Sequence, residues 1–233
     1  MRAAIMQPYI FPYLGYFQLI QSVDVFVFYD DVNFIKRGWV NRNKILIQNQ
    51  EKLISFPCIK ASQNKLINDV EVDLENKAYK KLLNSIYYAY KKAPYFEEVM
   101  PLITEVFKSD SKNIADLCIA SIKMVRDYLS LSTELKRSSE EFTATQNLPA
   151  ADRLIAISKK IGAEIYINSL GGKALYTKGY FAKNQLTLEF LQPKLPEYEQ
   201  FSEPFIPSLS IIDVLMFNSK QDVLKMLSVY ELS

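Results

Sequence analysis

Residues 3 to 29 most constrain the fold. Ala3 to Met6 is a short apolar run that ends at Gln7-Pro8. Leu14 to Ser22 can form a helix that buries Leu14, Phe17 and Ile20, and Val25 to Tyr29 returns as a second buried strand rich in Val and Phe. A strand, a glycine-bearing loop, a helix and a strand in so short a span specify a βαβ crossover with parallel pairing. In such units ligands sit beyond the carboxyl ends of the strands. Gln7 to Tyr13 and Tyr29 to Arg42 both lie beyond those ends, so both are expected to face one crevice.

The rest of the chain alternates in the same way. Leu53 to Phe56 and Val70 to Leu74 read as short strands. Three apolar stripes at helical spacing follow: Tyr79 to Tyr90, Val99 to Phe107, and Ile114 to Leu129. A further helix opens near Asp152 and stops at Gly162. Glu164 to Asn168 and Leu186 to Leu191 are strand candidates, and Ser210 to Phe217 and Gln221 to Val229 are closing helices. The expected class is α/β, a Rossmann-like parallel sheet core with an inserted or appended helical segment. The expected division places part of the core at 1–75, the helical segment at 76–147, and the completion of the core at 148–233.

Composition narrows the chemistry. The 233 residues contain no histidine, which removes Ser-His-Asp triads, Cys-His pairs and His-ligated zinc. Any catalysis falls to carboxylates, lysine, tyrosine, backbone amides or a bound metal. The net charge of +2 gives no sustained basic field and argues against nucleic acid as a partner. Lys36, Arg37, Arg42 and Lys44 are the local exception. Two cysteines outside any CxxC pair suit a reduced, cytoplasmic compartment. No apolar run approaches the roughly 20 residues that would cross a bilayer, so no membrane insertion is expected.

Three stretches can carry a site. The first is QPYIFPYLGY, residues 7–16, where a loop leads into a helix start. Its amides and the helix dipole suit an anion, Gly15 would admit a ligand close to the backbone, and Gln7, Tyr9, Tyr13 and Tyr16 would contact it. The competing reading is an aromatic plug between helix and sheet. The second runs from Asp30 to Lys44. Asp30 or Asp31 would serve as a base, or hold Mg²⁺. Arg37, Arg42 and Lys44 would clamp a phosphate, and Trp39 would stack on a ring. Period-2 spacing would set Arg37, Trp39, Asn41 and Asn43 on one face if the segment is extended. The third comprises Ser138-Ser139 and Asn168 to Gly172, where Gly171 and Gly172 can form an anion-binding nest.

The layout of the first loop has a fold-level likeness to the nucleotidylyltransferases, but Gly15-Tyr16 stands where a Gly-His pair would be expected. The fuller resemblance is to the WbqC-like family. It is carried by MQPYIFPYLGYFQLI at the start, Asp-Asp-Val at 30–32, Asn-Arg-Asn-Lys-Ile at 41–45 and KKAPYF at 91–96. The Arg-Leu-Ile, Ile-Gly-Ala and Tyr-Ile-Asn runs between 153 and 168, and the closing LSIIDVLMFNS, continue it in order. The resemblance implies a role in bacterial surface-polysaccharide (O-antigen) biosynthesis, with transfer of an acyl or aminoacyl group to the amine of a nucleotide-linked sugar. It implies no catalytic set residue by residue.

On the residues themselves, Asp30 or Asp31 would deprotonate the amine, with Asn41 or loop amides stabilising the oxyanion. Tyr9, Tyr13 or Trp39 would stack on base or sugar. The alternatives are an ATP-dependent carboxylate-activating enzyme, with Mg²⁺ on Asp30 and Asp31, and a non-catalytic scaffold of the same pathway. The acyl donor and the oligomeric state stay open.

Overall fold

The computed structural model describes residues 1–233. Six strands form one sheet: β1 (Arg2–Met6), β2 (Val25–Phe28), β5 (Glu134–Arg137), β6 (Ile165–Ser169), β7 (Thr187–Pro193) and β8 (Tyr230–Leu232). Their order is β5-β2-β1-β6-β7-β8, parallel throughout except for the antiparallel β7–β8 pair. The hairpin β3 (Arg42–Ile47) and β4 (Gln50–Ser55) stands apart from it. Nine helices complete the chain. They are α1 (Leu14–Gln21), α2 (Lys77–Tyr90), α3 (Phe96–Lys108), α4 (Ile114–Tyr128), the one-turn α5 (Ser138–Glu141), α6 (Ala150–Lys160), α7 (Lys178–Lys183), α8 (Ile211–Phe217) and α9 (Lys220–Leu227). This is an α/β fold with a Rossmann-like core. No helix is long and apolar enough to cross a membrane.

Both faces of the sheet are covered, which is why β1, β2 and β6 read as nearly continuous apolar runs. Ala4, Phe26, Phe28, Ile167 and Leu191 point into one large core with α1, α8, α9 and the α2–α4 helices. Ile5, Val25, Val27, Tyr166, Leu188 and Phe190 point the other way, into a smaller core with α6 and Phe181 of α7. The helices α2–α4 therefore share the main core rather than forming one of their own. Tyr79 of α2 and Phe107 of α3 pack on each other and on Phe56, just after β4, with ring centres 5.3 to 6.1 Å apart.

Several local expectations change. Val70 to Leu74 is not a strand: a 3₁₀ turn at Ile67–Asp69 leads into the single bridges Cys58↔Val72 and Glu71↔Asn113. Their partners are loops, so pairing never extends. The edge strands β5 and β8 have no clear apolar alternation to betray them. β5 is ELKR, and it attaches the end of the helical stretch to β2.

The chain runs from β1 to β2 on one side and reaches β6 on the other, so strand order reverses between β1 and β6. Those two strands pair only at Arg2↔Ile165 and Ala3↔Tyr166. Beyond that they part, and a wedge opens at their carboxyl ends. Reversal points of this kind are where open α/β sheets hold ligands.

Candidate functional site

A cavity of about 660 Å³ fills that wedge. Met6 and Leu191 from the strands form its floor, and Ser169, Leu170 and Gly171 after β6 form one side. Tyr9, Pro12, Tyr13, Gly15, Tyr16 and Leu19 make the wall that leads into α1. Trp39 and Asn43 close the mouth from the hairpin side, and Pro193, Leu195 and Ser208 from the segment after β7. No lining residue carries a charge.

The first loop is both plug and wall. Ile10 and Phe11 are fully buried, with Phe11 packed on Phe56 and Phe107. Phe11 holds φ at 42°, a conformation that L residues adopt only when their surroundings impose it. The surroundings do so. The Phe11 amide donates to Ser121 Oγ at 3.0 Å, and its carbonyl accepts from Asn43 Nδ2 at 2.5 Å and Ser210 Oγ at 2.7 Å. Asn43 also donates to Ile10 O at 2.9 Å. With its inner residues so anchored, the loop turns Tyr9 and Tyr13 outward to the cavity.

Burial raises the hydroxyl pKa of Tyr9, helped by its neighbour Tyr13, and burial alone raises that of Tyr13. Neither hydroxyl bonds to a protein group, so both face the cavity as neutral donors. Tyr16 is committed: its hydroxyl donates to Gln7 O at 2.9 Å. Gly15 was expected to admit a ligand to the helix backbone. Instead its missing side chain admits Tyr13, since a Cβ there would lie 2.5 Å from the Tyr13 ring. No side chain caps the start of α1, so its first-turn amides and dipole lend the uncharged cavity an electropositive element.

The hairpin residues divide. Residues 36–41 form turns and bends, with Arg37 at φ 60°, so the extended face of Arg37, Trp39, Asn41 and Asn43 does not form. Trp39 and Asn43 line the cavity, while Asn41 turns away to donate to Phe56 O at 2.9 Å. Arg42 braces the turn through Gly38 O at 3.0 Å. Lys44 pairs with Glu51 at 2.8 Å and lies 5.9 Å from the Trp39 ring centre. Arg37 is exposed. None of the three cations lines the cavity.

Asp30 and Asp31 lie elsewhere, at the carboxyl end of β2 and buried under α5 and α6. Asp30 accepts from Arg137, from Ser139 N at 3.1 Å and Ser139 Oγ at 2.8 Å, and from Ser138 Oγ at 3.1 Å. Asp31 accepts from Ser138, from Gln146 Nε2 at 2.8 Å and from Arg153 Nη2 at 2.6 Å. All four carboxylate oxygens are matched to protein donors. Burial by itself would raise the Asp31 pKa, but the bonds from Ser138, Gln146 and Arg153 and the Arg153 charge bring it below its ordinary value. Neither carboxylate lines the cavity, and neither has an oxygen free for Mg²⁺ or for an amine proton. No cluster of three or more His, Cys, Asp or Glu side chains is arranged to hold a metal. The thiols are no substitute nucleophiles, since burial pushes the Cys58 thiol up to about 12 and raises that of Cys118 well above its ordinary value.

Asn168 and Gly172 shape the wall without lining it. Asn168 Oδ1 accepts from Ser169 N at 2.8 Å, and its amide occupies the space that a Cβ on Gly172 would need, 2.5 Å away. That packing turns Ser169 to Gly171 toward the cavity. Gln7 anchors Tyr16 through its carbonyl and does not line the cavity.

Sequence reasoning missed the last wall. Between Leu195 and Leu209 no backbone group bonds to another backbone group. The strap is held from below by Asp213, which accepts from Tyr198 Oη at 2.8 Å, Gln200 Nε2 at 3.0 Å and Tyr90 Oη at 2.8 Å. Burial raises the Asp213 pKa, and those donors offset part of the rise. Nothing periodic in PKLPEYEQF announces this.

The fold is α/β, with an uncharged cavity at the strand-order reversal of a mostly parallel sheet. The chain belongs to the WbqC-like protein family, whose sequence profile matches residues 7–225. It is also 26% identical over 220 residues to the uncharacterized protein Rv1507c of Mycobacterium tuberculosis (strain ATCC 25618 / H37Rv), a match that covers 93% of each chain. No solved structure is significantly similar.

Proposed function

We propose that the cavity binds a nucleotide-linked amino sugar and that the protein is an N-acyl or aminoacyl transferase acting on the sugar amine, in bacterial surface-polysaccharide biosynthesis. The observation that carries this reading is the uncharged, tyrosine- and tryptophan-walled cavity of about 660 Å³ at the strand-order reversal. Aromatic faces suit the C–H face of a sugar or the plane of a base, and the free phenols of Tyr9 and Tyr13 suit neutral hydroxyl partners. Acyl transfer to an amine needs the amine unprotonated. An apolar pocket favours that form, because desolvation penalises the ammonium ion. The protein's contribution is then to align the two reactants and exclude water. Sugar nucleotides would place this activity in the cytoplasm.

The ATP-dependent alternative is the less favoured reading, since Asp30 and Asp31, the Mg²⁺ ligands it calls on, are paired with Arg137 and Arg153. Thermal stabilisation by UDP- and dTDP-amino sugars, ATP/Mg²⁺ and CoA separates the readings. A ligand at 100 times its Kd adds about 2.7 kcal/mol, a rise of about 5–10 °C for a chain of this size. The transferase reading predicts that rise with a sugar nucleotide and its loss in Tyr13→Ala. A rise with ATP/Mg²⁺ alone would overturn it.

A further inference from the structure

The cavity has an aliphatic corner between α1 and β7. Leu191 and Pro193 stand two apart on β7, and Leu195 continues the spacing, so the three present one edge toward the helix. Opposite them is Leu19, about 7.5 Å along α1 from Leu14 at 1.5 Å per residue. Leu19 and Leu191 are each 2% exposed, which makes this corner the deep end of the cavity. Tyr9 and Tyr13 belong to the loop before α1, toward the other end. Ser169, in register with Leu191 on the neighbouring β6, puts a hydroxyl at the corner's inner edge.

The corner is preformed. Gln18, fully buried on α1, donates from Nε2 to Lys194 O at 2.7 Å, Met226 O at 2.8 Å and Val229 O at 2.9 Å. The first of these bonds holds the segment from Pro193 to Leu195 against the helix. Gln18 itself does not line the cavity.

We infer that this corner is the subsite for the acyl group borne by the sugar nitrogen, and that the group is a short aliphatic acyl chain rather than an aminoacyl group. The inference rests on the transferase reading and narrows its donor class. An alkyl chain gains by leaving water for Leu19, Leu191 and Leu195. An aminoacyl group would carry an ammonium ion to the same depth, where no carboxylate lines the wall to replace its water. The diphosphate escapes that cost: in this reading the sugar enters first, and the diphosphate stays at the mouth, beside Trp39 and in water.

The test titrates the wild type by calorimetry with UDP-glucosamine and dTDP-4-amino-4,6-dideoxyglucose, each as the free amine and as its N-acetyl, N-butyryl and N-glycyl derivative. For the sugar nucleotide that binds, affinity should rise about four-fold per added methylene, so the N-butyryl form binds at least ten-fold tighter than the N-acetyl form. The N-glycyl form should bind at least ten-fold more weakly than the N-acetyl form. Leu195→Asn, melting cooperatively, should erase most of the chain-length gain. Indifference to chain length overturns the inference, as does N-glycyl binding as tight as N-acetyl or a gain that survives Leu195→Asn; in each case the acceptor reading still stands. If neither nucleotide binds in any form, the acceptor reading falls and takes the inference with it.

Discussion

Removing the Asp31 carboxylate should test whether it is a structural anchor or a catalytic base. In Asp31→Ala the Arg153 guanidinium, 3% exposed, loses its 2.6 Å ion pair and keeps a 3.2 Å bond from Nε to Thr145 Oγ1 and its place 4.6 Å from the Tyr29 ring centre. Stranding one member of a buried pair costs about 3–5 kcal/mol. For a chain of this length each kcal/mol moves the melting temperature by about 2–4 °C, so a fall of about 6–20 °C is expected by calorimetry. Removing both partners in Asp31→Ala/Arg153→Met should cost less than the two single changes together, because no unpaired charge remains. The acid limb provides a second reading. The folded pKa of Asp31 lies below its ordinary value, so its contribution is present above the unfolded pKa and is lost as pH falls through the folded one. Asp31→Asn should flatten that limb. If Asp31→Ala melted within about 2 °C of the wild type, the anchoring role would be refuted; loss of turnover in the same protein would restore Asp31 as the base.

Asp213 should act with the opposite sign. Its folded pKa is raised, so its contribution is full below the unfolded pKa and is lost as pH rises through the folded one; denaturation at stepped pH should show Asp213→Asn gaining on the wild type across that interval, and parallel curves would contradict this. Gly15→Ala should push the Tyr13 ring into the cavity, weakening ligand binding more than it lowers the melting temperature, as parallel titration and melting would record. Asn43→Ala should leave the buried Ile10 carbonyl without its side-chain donor and Phe11 with one fewer; a loss of about 1–3 kcal/mol in chemical denaturation, with a looser loop, is expected.

What the sequence disclosed was local. The β1–α1–β2 unit was legible because its apolar spacing and its loop lie within 27 residues, and Tyr9, Tyr13, Tyr16 and Trp39 were legible as cavity residues because the chain order of that unit puts them beyond its strand ends. Asp30 and Asp31 misled for the converse reason. Two acids at a strand end look free until Arg137 and Arg153 are brought to them from more than 100 residues away. The turn at residues 36–41 was not told from an extended segment, because its positive φ falls on Arg37 and not on the neighbouring Gly38. The strap after β7 has no repeat to read, and its hub, Asp213, sits inside an apolar helix where the spacing suggests only a core.

The central claim is that the tyrosine-walled cavity is the acceptor site, and Trp39, the only tryptophan, reports on it directly from the mouth. Titration of the wild type with a UDP-amino sugar, followed by tryptophan fluorescence, should give a saturable change that Tyr13→Ala weakens and that a bare nucleoside diphosphate reproduces poorly. A flat titration with every amino-sugar nucleotide, in a protein that melts cooperatively, would contradict the account.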